Sequence, residues 1–170
     1  LDKDTSGLLV VAKTLAAQTD LVRQLQARSV RRQYLAVVCG VVRRDATVAA
    51  PVGRHPVHRT KMAVVPESRG GKAAITHFRV LDQFAHCALV ECTLETGRTH
   101  QIRVHMASIR HPLLGDPVYG KPDQRLPAFS RQALHATRLA LLHPLTRRMQ
   151  QWEVPPPADM AALLEALRGG

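Results

Sequence analysis

The chain has 170 residues, is 45% hydrophobic, and carries 24 Lys and Arg against 13 Asp and Glu, a formal net charge of +11. That length suits one domain with its own core, and no run reaches the roughly 18 apolar residues of a membrane span. The cationic excess points to a polyanionic partner; with no basic amphipathic helix bearing an aromatic face, nucleic acid is favoured over a membrane surface.

The elements are predicted in chain order as follows. Leu8 to Lys13 reads as a strand. Thr14 can cap a helix to about Arg28, with Leu15, Leu21, Val22 and Leu25 at helical spacing. Gln33 to Val42 is a β-rich run carrying Tyr34, and residues 43 to 60 read as loop. Lys61 to Val65 and Ala73 to Leu81 read as a hairpin around Ser68-Arg69-Gly70-Gly71-Lys72. His86 to Leu94 is a further strand. A short helix from about His100 to Ile109 has Ile102, Met106 and Ile109 on its apolar face. His111 to Gly120 is a loop punctuated by Pro and Gly. Leu134 to Leu142 and Met149 to Val154 form a last strand pair, stopped by Pro155-Pro156-Pro157. A final helix buries Met160, Leu163, Leu164 and Leu167. Hairpins with interspersed helices predict an α+β fold with a mainly antiparallel, mixed sheet flanked by helices and loops. The three cysteines, Cys39, Cys87 and Cys92, show no CxxC spacing. They read as buried thiols in a reducing cytoplasm, with neither a disulfide framework nor a zinc site.

Four stretches carry candidate chemistry. In LDKDTSG, Asp2 and Asp4 fall on one face of an extended chain; either could be a nucleophile or general base, or a turn residue. In GRTHQIRVH, residues 97–105, Arg98, His100, Gln101, Arg103 and His105 crowd a helix start, where a donor-rich face suits phosphate. The alternative is an ordinary solvated helix face. His100 and His105 are five apart, a poor metal pair. In RRQYLAV, Tyr34 shares a strand face with Ala36 and Val38, as core or as a ring that stacks on a base. In GRHPVHRTKMAV, residues 53–64, the side chains Arg54, His55, His58, Arg59 and Lys61 crowd together. With Lys72, Arg43 and Arg44 they form a plausible phosphate-tracking surface.

These stretches, with LETGRTHQIRVHMA at 94–107, HPLLGDPVYG at 111–120 and ALHA at 133–136, occur in an order that resembles the RluA-type pseudouridine synthases over almost the whole chain. The resemblance implies the pseudouridine synthase fold and an RNA substrate, large-subunit ribosomal RNA being the one expected. It places the catalytic aspartate at Asp2, the family tyrosine at Tyr34 and the basic partner of the aspartate at Arg103. Leu134 falls at a position expected to line the uracil pocket. In that family His-Arg precedes the motif leucine. The chain is accordingly expected to be the C-terminal part of a longer protein, with earlier strands and an S4-type RNA-binding domain outside it.

The reaction so implied breaks the N1–C1′ bond of uridine, rotates the base and forms a C5–C1′ bond, with no cofactor and no metal. The base must first be flipped out of the RNA. Asp2 is the essential carboxylate and Arg103 its partner, while Tyr34 packs on uracil and takes the C5 proton. Arg98, His100, Gln101, Arg54, His55, Arg59, Lys61 and Lys72 are expected to grip the RNA. A cytoplasmic monomer is expected. The rival reading is a non-catalytic RNA-binding or ribosome-assembly protein on the same fold.

Overall fold

The structure is a computed structural model that describes residues 1–169. Its main sheet has seven strands: β1 (Ser6–Gly7), β2 (Arg31–Cys39), β3 (Ala46–Ala49), β6 (Ile75–Gln83), β7 (Cys87–Leu94), β8 (Leu134–Leu142) and β9 (Met149–Glu153). The order is β1-β8-β2-β7-β6-β3, with β9 also on β8. Among the described residues, only the β1–β8 pair is parallel. Strands β4 (Val52–Arg54) and β5 (Met62–Val64) form a separate ribbon. Three helices complete the α+β fold: α1 (Leu15–Gln26), α2 (Gln101–Ser108) and α3 (Ala158–Gly169).

Strand alternation sends successive β2 and β7 side chains to opposite faces. Ala36, Val38, Val90 and Cys92 face one way and pack with Ile102 and Met106 of α2. Val37, Cys87 and Leu89 face the other and pack with Met160, Leu163 and Leu164 of α3. The two helices therefore seal opposite faces of the central strands. Cys87 and Cys92 are buried and all three thiols are free. Burial pushes the thiols up, to about 11 at Cys87 and about 12 at Cys92.

The structure corrects several expectations. Leu8 to Lys13 is not a strand. After Leu8 donates to the Ala136 carbonyl, no neighbouring strand continues the ladder, and Leu9 and Val11 point to solvent. Helix α1 is capped by Thr14, whose hydroxyl accepts from Ala17 N. Its apolar side is less buried than the spacing predicts: Leu15 is 78% exposed, and Leu21 packs with Val30, Leu139 and Leu141. Gln24 holds the helix instead, with its amide donating to Leu142 O and accepting from Leu142 N.

Residues 43–60 contain β3 and β4. Lys61 to Val65 pairs with β4, so the hairpin turn is at 55–61 and not at 68–72. The latter stretch is a 3-10 turn (Glu67–Arg69) ended by Gly70 at φ 94°, linking the ribbon to β6. Gly71 follows so closely under the Val65 carbonyl that no Cβ fits there.

The polar side of α2 is internal. Gln101, Arg103 and His105 are 3%, 4% and 0% exposed. His105 Nε2 donates to Ala50 O and its Nδ1 pairs with the Thr76 hydroxyl. The helix fills the space between the sheet and the β4–β5 ribbon, so its polar side chains meet backbone groups that need partners.

Candidate active site

The opening residues form a turn, not an extended chain, which separates the two aspartates. Thr5 N donates to Asp2 O and Asp4 adopts φ 66°. Asp4 is exposed, whereas the Asp2 side chain is 21% exposed and enters a cleft. Two residues absent from the sequence reading clamp this turn. Gln132, 1% exposed, donates to Lys3 O at 2.6 Å and to Thr5 Oγ1 at 3.0 Å. Arg131 donates to Asp4 O and Leu134 O and is itself held by Asp159. Gly7, at φ 112°, lies against β8 where a Cβ would stand 2.2 Å from Ala136 O. Strand β8 therefore fixes the height of Asp2 relative to the sheet.

Arg103 reaches Asp2 from behind the cleft, Nη1 to Oδ2 at 3.5 Å. Its main partner is Asp116, in the loop after α2: Nε to Oδ2 at 2.8 Å and Nη2 to Oδ1 at 3.0 Å. The Asp116 side chain is 0% exposed and also accepts from Val118 N and Tyr119 N. Burial alone would push its carboxyl up; the Arg103 contacts and the two backbone donors outweigh this and hold it below the usual carboxylate range. Burial likewise opposes the Arg103 charge, and Asp116 and Asp2 together raise its affinity for the proton. The guanidinium also lies over the Tyr119 ring, 5.1 Å from its centroid.

The cleft has a volume of about 420 Å³, inside the range of roughly 300–1,000 Å³ typical of ligand sites. Asp2 and Thr5 line it from the opening turn, Arg32 and Tyr34 from β2, Leu134, Ala136 and Arg138 from β8, and Gly97, Arg98 and Thr99 from the turn before α2. Burial raises the Tyr34 phenol above its ordinary range; Arg32 works against the rise and Asp2 adds to it. The cleft thus has a carboxylate at one side, a neutral phenol and aliphatic walls, with cations around them. A flat, uncharged ring with polar edges fits such a lining.

The predicted RNA grip divides into two kinds of residue. Gln101 does not face a ligand. Its carbonyl accepts from Thr96 Oγ1 and Arg98 N, and its amide donates to Ile75 O and Thr76 Oγ1. All four capacities are used to shape the turn that carries Arg98. His100 is half-buried at φ 56°, and its Nδ1 pairs with the Tyr119 hydroxyl at 2.7 Å. Burial lowers its affinity for a proton, opposed by Asp2. The same hydroxyl accepts from Met62 N, tying the ribbon to α2. His55 Nδ1 accepts from Val57 N and His58 N, so it shapes its own hairpin loop.

The other kind lies open. A second cleft of about 370 Å³ lies beside the first and shares the 97–99 turn; Arg54, Lys72 and Arg98 line it. Arg98 Nε is anchored on Ala73 O and Arg54 Nη1 on Arg59 O. Arg59 is exposed and Lys61 half-exposed on the adjoining loop. Among the described residues, no three of His, Cys, Asp and Glu stand close enough to hold a metal ion.

Several known proteins are similar to this chain. The sequence pattern of the family described as RNA pseudouridylate synthase matches residues 1–108. The chain is 59% identical over 177 residues to the ribosomal large subunit pseudouridine synthase D of Nitrosomonas europaea, covering 99% of this chain and 50% of that protein. It is 50% identical to the protein of that name from Escherichia coli (strain K12), covering 99% and 54%. The chain thus spans about half the length of these curated relatives. Its fold matches the solved structure of human RNA pseudouridylate synthase domain containing 1 with a TM-score of 0.78 and 28% identity, over 100% of this chain and 78% of that one. The chain belongs to the RNA pseudouridylate synthase family.

Proposed function

We propose that this chain carries the catalytic site of an enzyme that isomerises uridine to pseudouridine in large-subunit ribosomal RNA. The observation that carries the reading is the convergence of Asp2, Tyr34 and Leu134 on one cleft with Arg103 behind the aspartate, in a chain 59% identical to a synthase named for that substrate. A pure RNA binder has no use for a carboxylate held inside a cationic cleft, because it repels the phosphates that supply affinity.

In this reading the flipped uracil packs between Tyr34 and the aliphatic wall of Leu134 and Ala136. Asp2 is the group that initiates cleavage of the N1–C1′ bond. The base then turns and C5 bonds to C1′; the neutral Tyr34 phenol accepts the C5 proton as it releases its own to solvent, and N1 takes up a proton from solvent. Arg103 keeps the Asp2 carboxylate aimed and is itself fixed by Asp116. The RNA strand leaves the first cleft over Arg98 and runs along Arg54 and Lys72 in the second. The ribosomal RNA substrate named for its relatives supports a protein acting in the cytoplasm.

The test is to incubate the protein with large-subunit ribosomal RNA fragments and map pseudouridine chemically. New modification at one or a few uridines supports the reading. Tight binding with no modified uridine supports the assembly-factor reading in its place.

A further inference from the structure

Among the described residues, the arginines that line the reaction cleft or lie behind it have partners inside the protein, with Arg32 the exception. Arg103 has Asp116 and Asp2, Arg98 has Ala73 O, Arg138 has Glu153 and Arg131 has Asp159. Arg32 makes no ion pair and no side-chain hydrogen bond among the described residues, and its Nε is buried without any partner. The guanidinium is nevertheless drawn into the cleft wall on the strand that presents Tyr34. It rests against Gly97, where a Cβ would stand 2.2 Å from Nη1. The absence of a side chain at position 97 is thus what makes room for the head group.

A half-buried guanidinium with an unused fork of donors is costly to keep unless something completes it. The fork geometry matches a phosphate, which accepts from two nitrogens at once. Carboxylates do not supply this partner here, since none pairs with Arg32. A uridine entering the cleft brings two phosphodiesters with it, one on each side of its ribose. Resting on the reading of the chain as a uridine isomerase, we propose that Arg32 is the phosphate anchor of the cleft, binding a phosphodiester that flanks the inserted uridine. Surface lysines and arginines would then track the strand, while Arg32 fixes the depth to which the nucleotide enters.

The experiment uses the full chain and a ribosomal RNA fragment, with affinity measured between 50 and 200 mM KCl for wild type, Arg32→Gln and Arg32→Lys. Losing one phosphate contact lowers the slope of log K against log salt by about 0.7–0.9. Arg32→Gln is expected to show that drop, with KM for the fragment raised at least about tenfold and kcat within about threefold. Arg32→Lys, which keeps the charge, should retain the slope.

Fragments carrying a neutral methylphosphonate on the 5′ or the 3′ side of the modified uridine identify the phosphate. At one of the two positions wild type should lose the affinity that Arg32→Gln loses, with no further loss when both changes are combined. An unchanged slope in Arg32→Gln, or penalties that add at both positions, overturns the proposal. So does unfolding of both variants in a thermal melt, which assigns Arg32 to packing. Pseudouridine formation by wild type, scored in the same samples, checks the parent reading separately. Its absence beside a normal slope difference would remove the reaction and leave Arg32 a phosphate anchor.

Discussion

Arg103 meets Asp116 with two nitrogens, at 2.8 and 3.0 Å, and reaches Asp2 with a third at 3.5 Å. The guanidinium is therefore fixed by a carboxylate that cannot reach the cleft, and presents its remaining edge to one that can. A buried arginine held by Asp2 alone would be free to rotate with it. Held by Asp116, it is a fixed post against which Asp2 is set.

Removing the post should cost both stability and catalysis. Breaking a buried ion pair by deleting one partner costs about 3–5 kcal/mol, so Asp116→Asn should lose stability of that order in urea unfolding. Wherever it still folds, pseudouridine formation should fall more than RNA affinity. Asp116→Asn with wild-type stability would remove the positioning role.

The same pair sets a pH dependence. Asp116 titrates below the ordinary carboxylate range in the folded chain, and near 3.9 when unfolded. Its stabilising contribution is complete above that unfolded value and disappears as pH falls through the folded one. Urea midpoints taken from pH 6 to pH 2.5 should decline below about pH 4, and the decline should be shallower in Asp116→Asn. Identical slopes in the two proteins would place the acid sensitivity elsewhere.

Tyr34 lies in the wall of the cleft with its phenol kept protonated by burial. Tyr34→Phe keeps the ring and removes the oxygen. RNA affinity should stay within about twofold, while product formation slows by roughly a hundredfold, the low end for loss of an acid–base group. Equal losses in both would make the residue a packing element.

Gly7 tests how far the opening turn depends on β8. Its φ of 112° and the 2.2 Å approach of a Cβ to Ala136 O leave no room for alanine. Gly7→Ala should destabilise the chain by at least about 2 kcal/mol and lower turnover more than RNA binding. Unchanged turnover would mean that the β1–β8 pairing does not set the position of Asp2.

Much of this was readable from the sequence where the signal was local. The β8–β9 pair, the α3 stripe and the Thr14 cap all depend on near neighbours. Pairings between distant segments were not. The β4–β5 ribbon reads as loop plus hairpin because its pairing depends on close backbone approaches between distant residues, Gly53 against Gly70 and Gly71, and Gly71 against Val65 O. Asp116 lies in a loop marked only by Pro and Gly, and nothing in that text says that it meets Arg103. Gln101 and His105 read as part of a donor-rich face open to phosphate, because polar residues on a short helix usually face outward. Here a ribbon covers that face, and they satisfy the backbone of Ile75 and Ala50. Arg32 gave no signal at all, since its meaning lies in the partner it lacks.

In the proposed mechanism Asp2, and not Asp4, starts the reaction. The direct measurement is tritium release from ribosomal RNA labelled at C5 of uridine, for wild type, Asp2→Asn and Asp4→Asn, with RNA affinity measured alongside. Asp2→Asn should give no release above background with binding retained, and Asp4→Asn release near the wild-type rate. Full turnover by Asp2→Asn would rule out Asp2 as the initiating group.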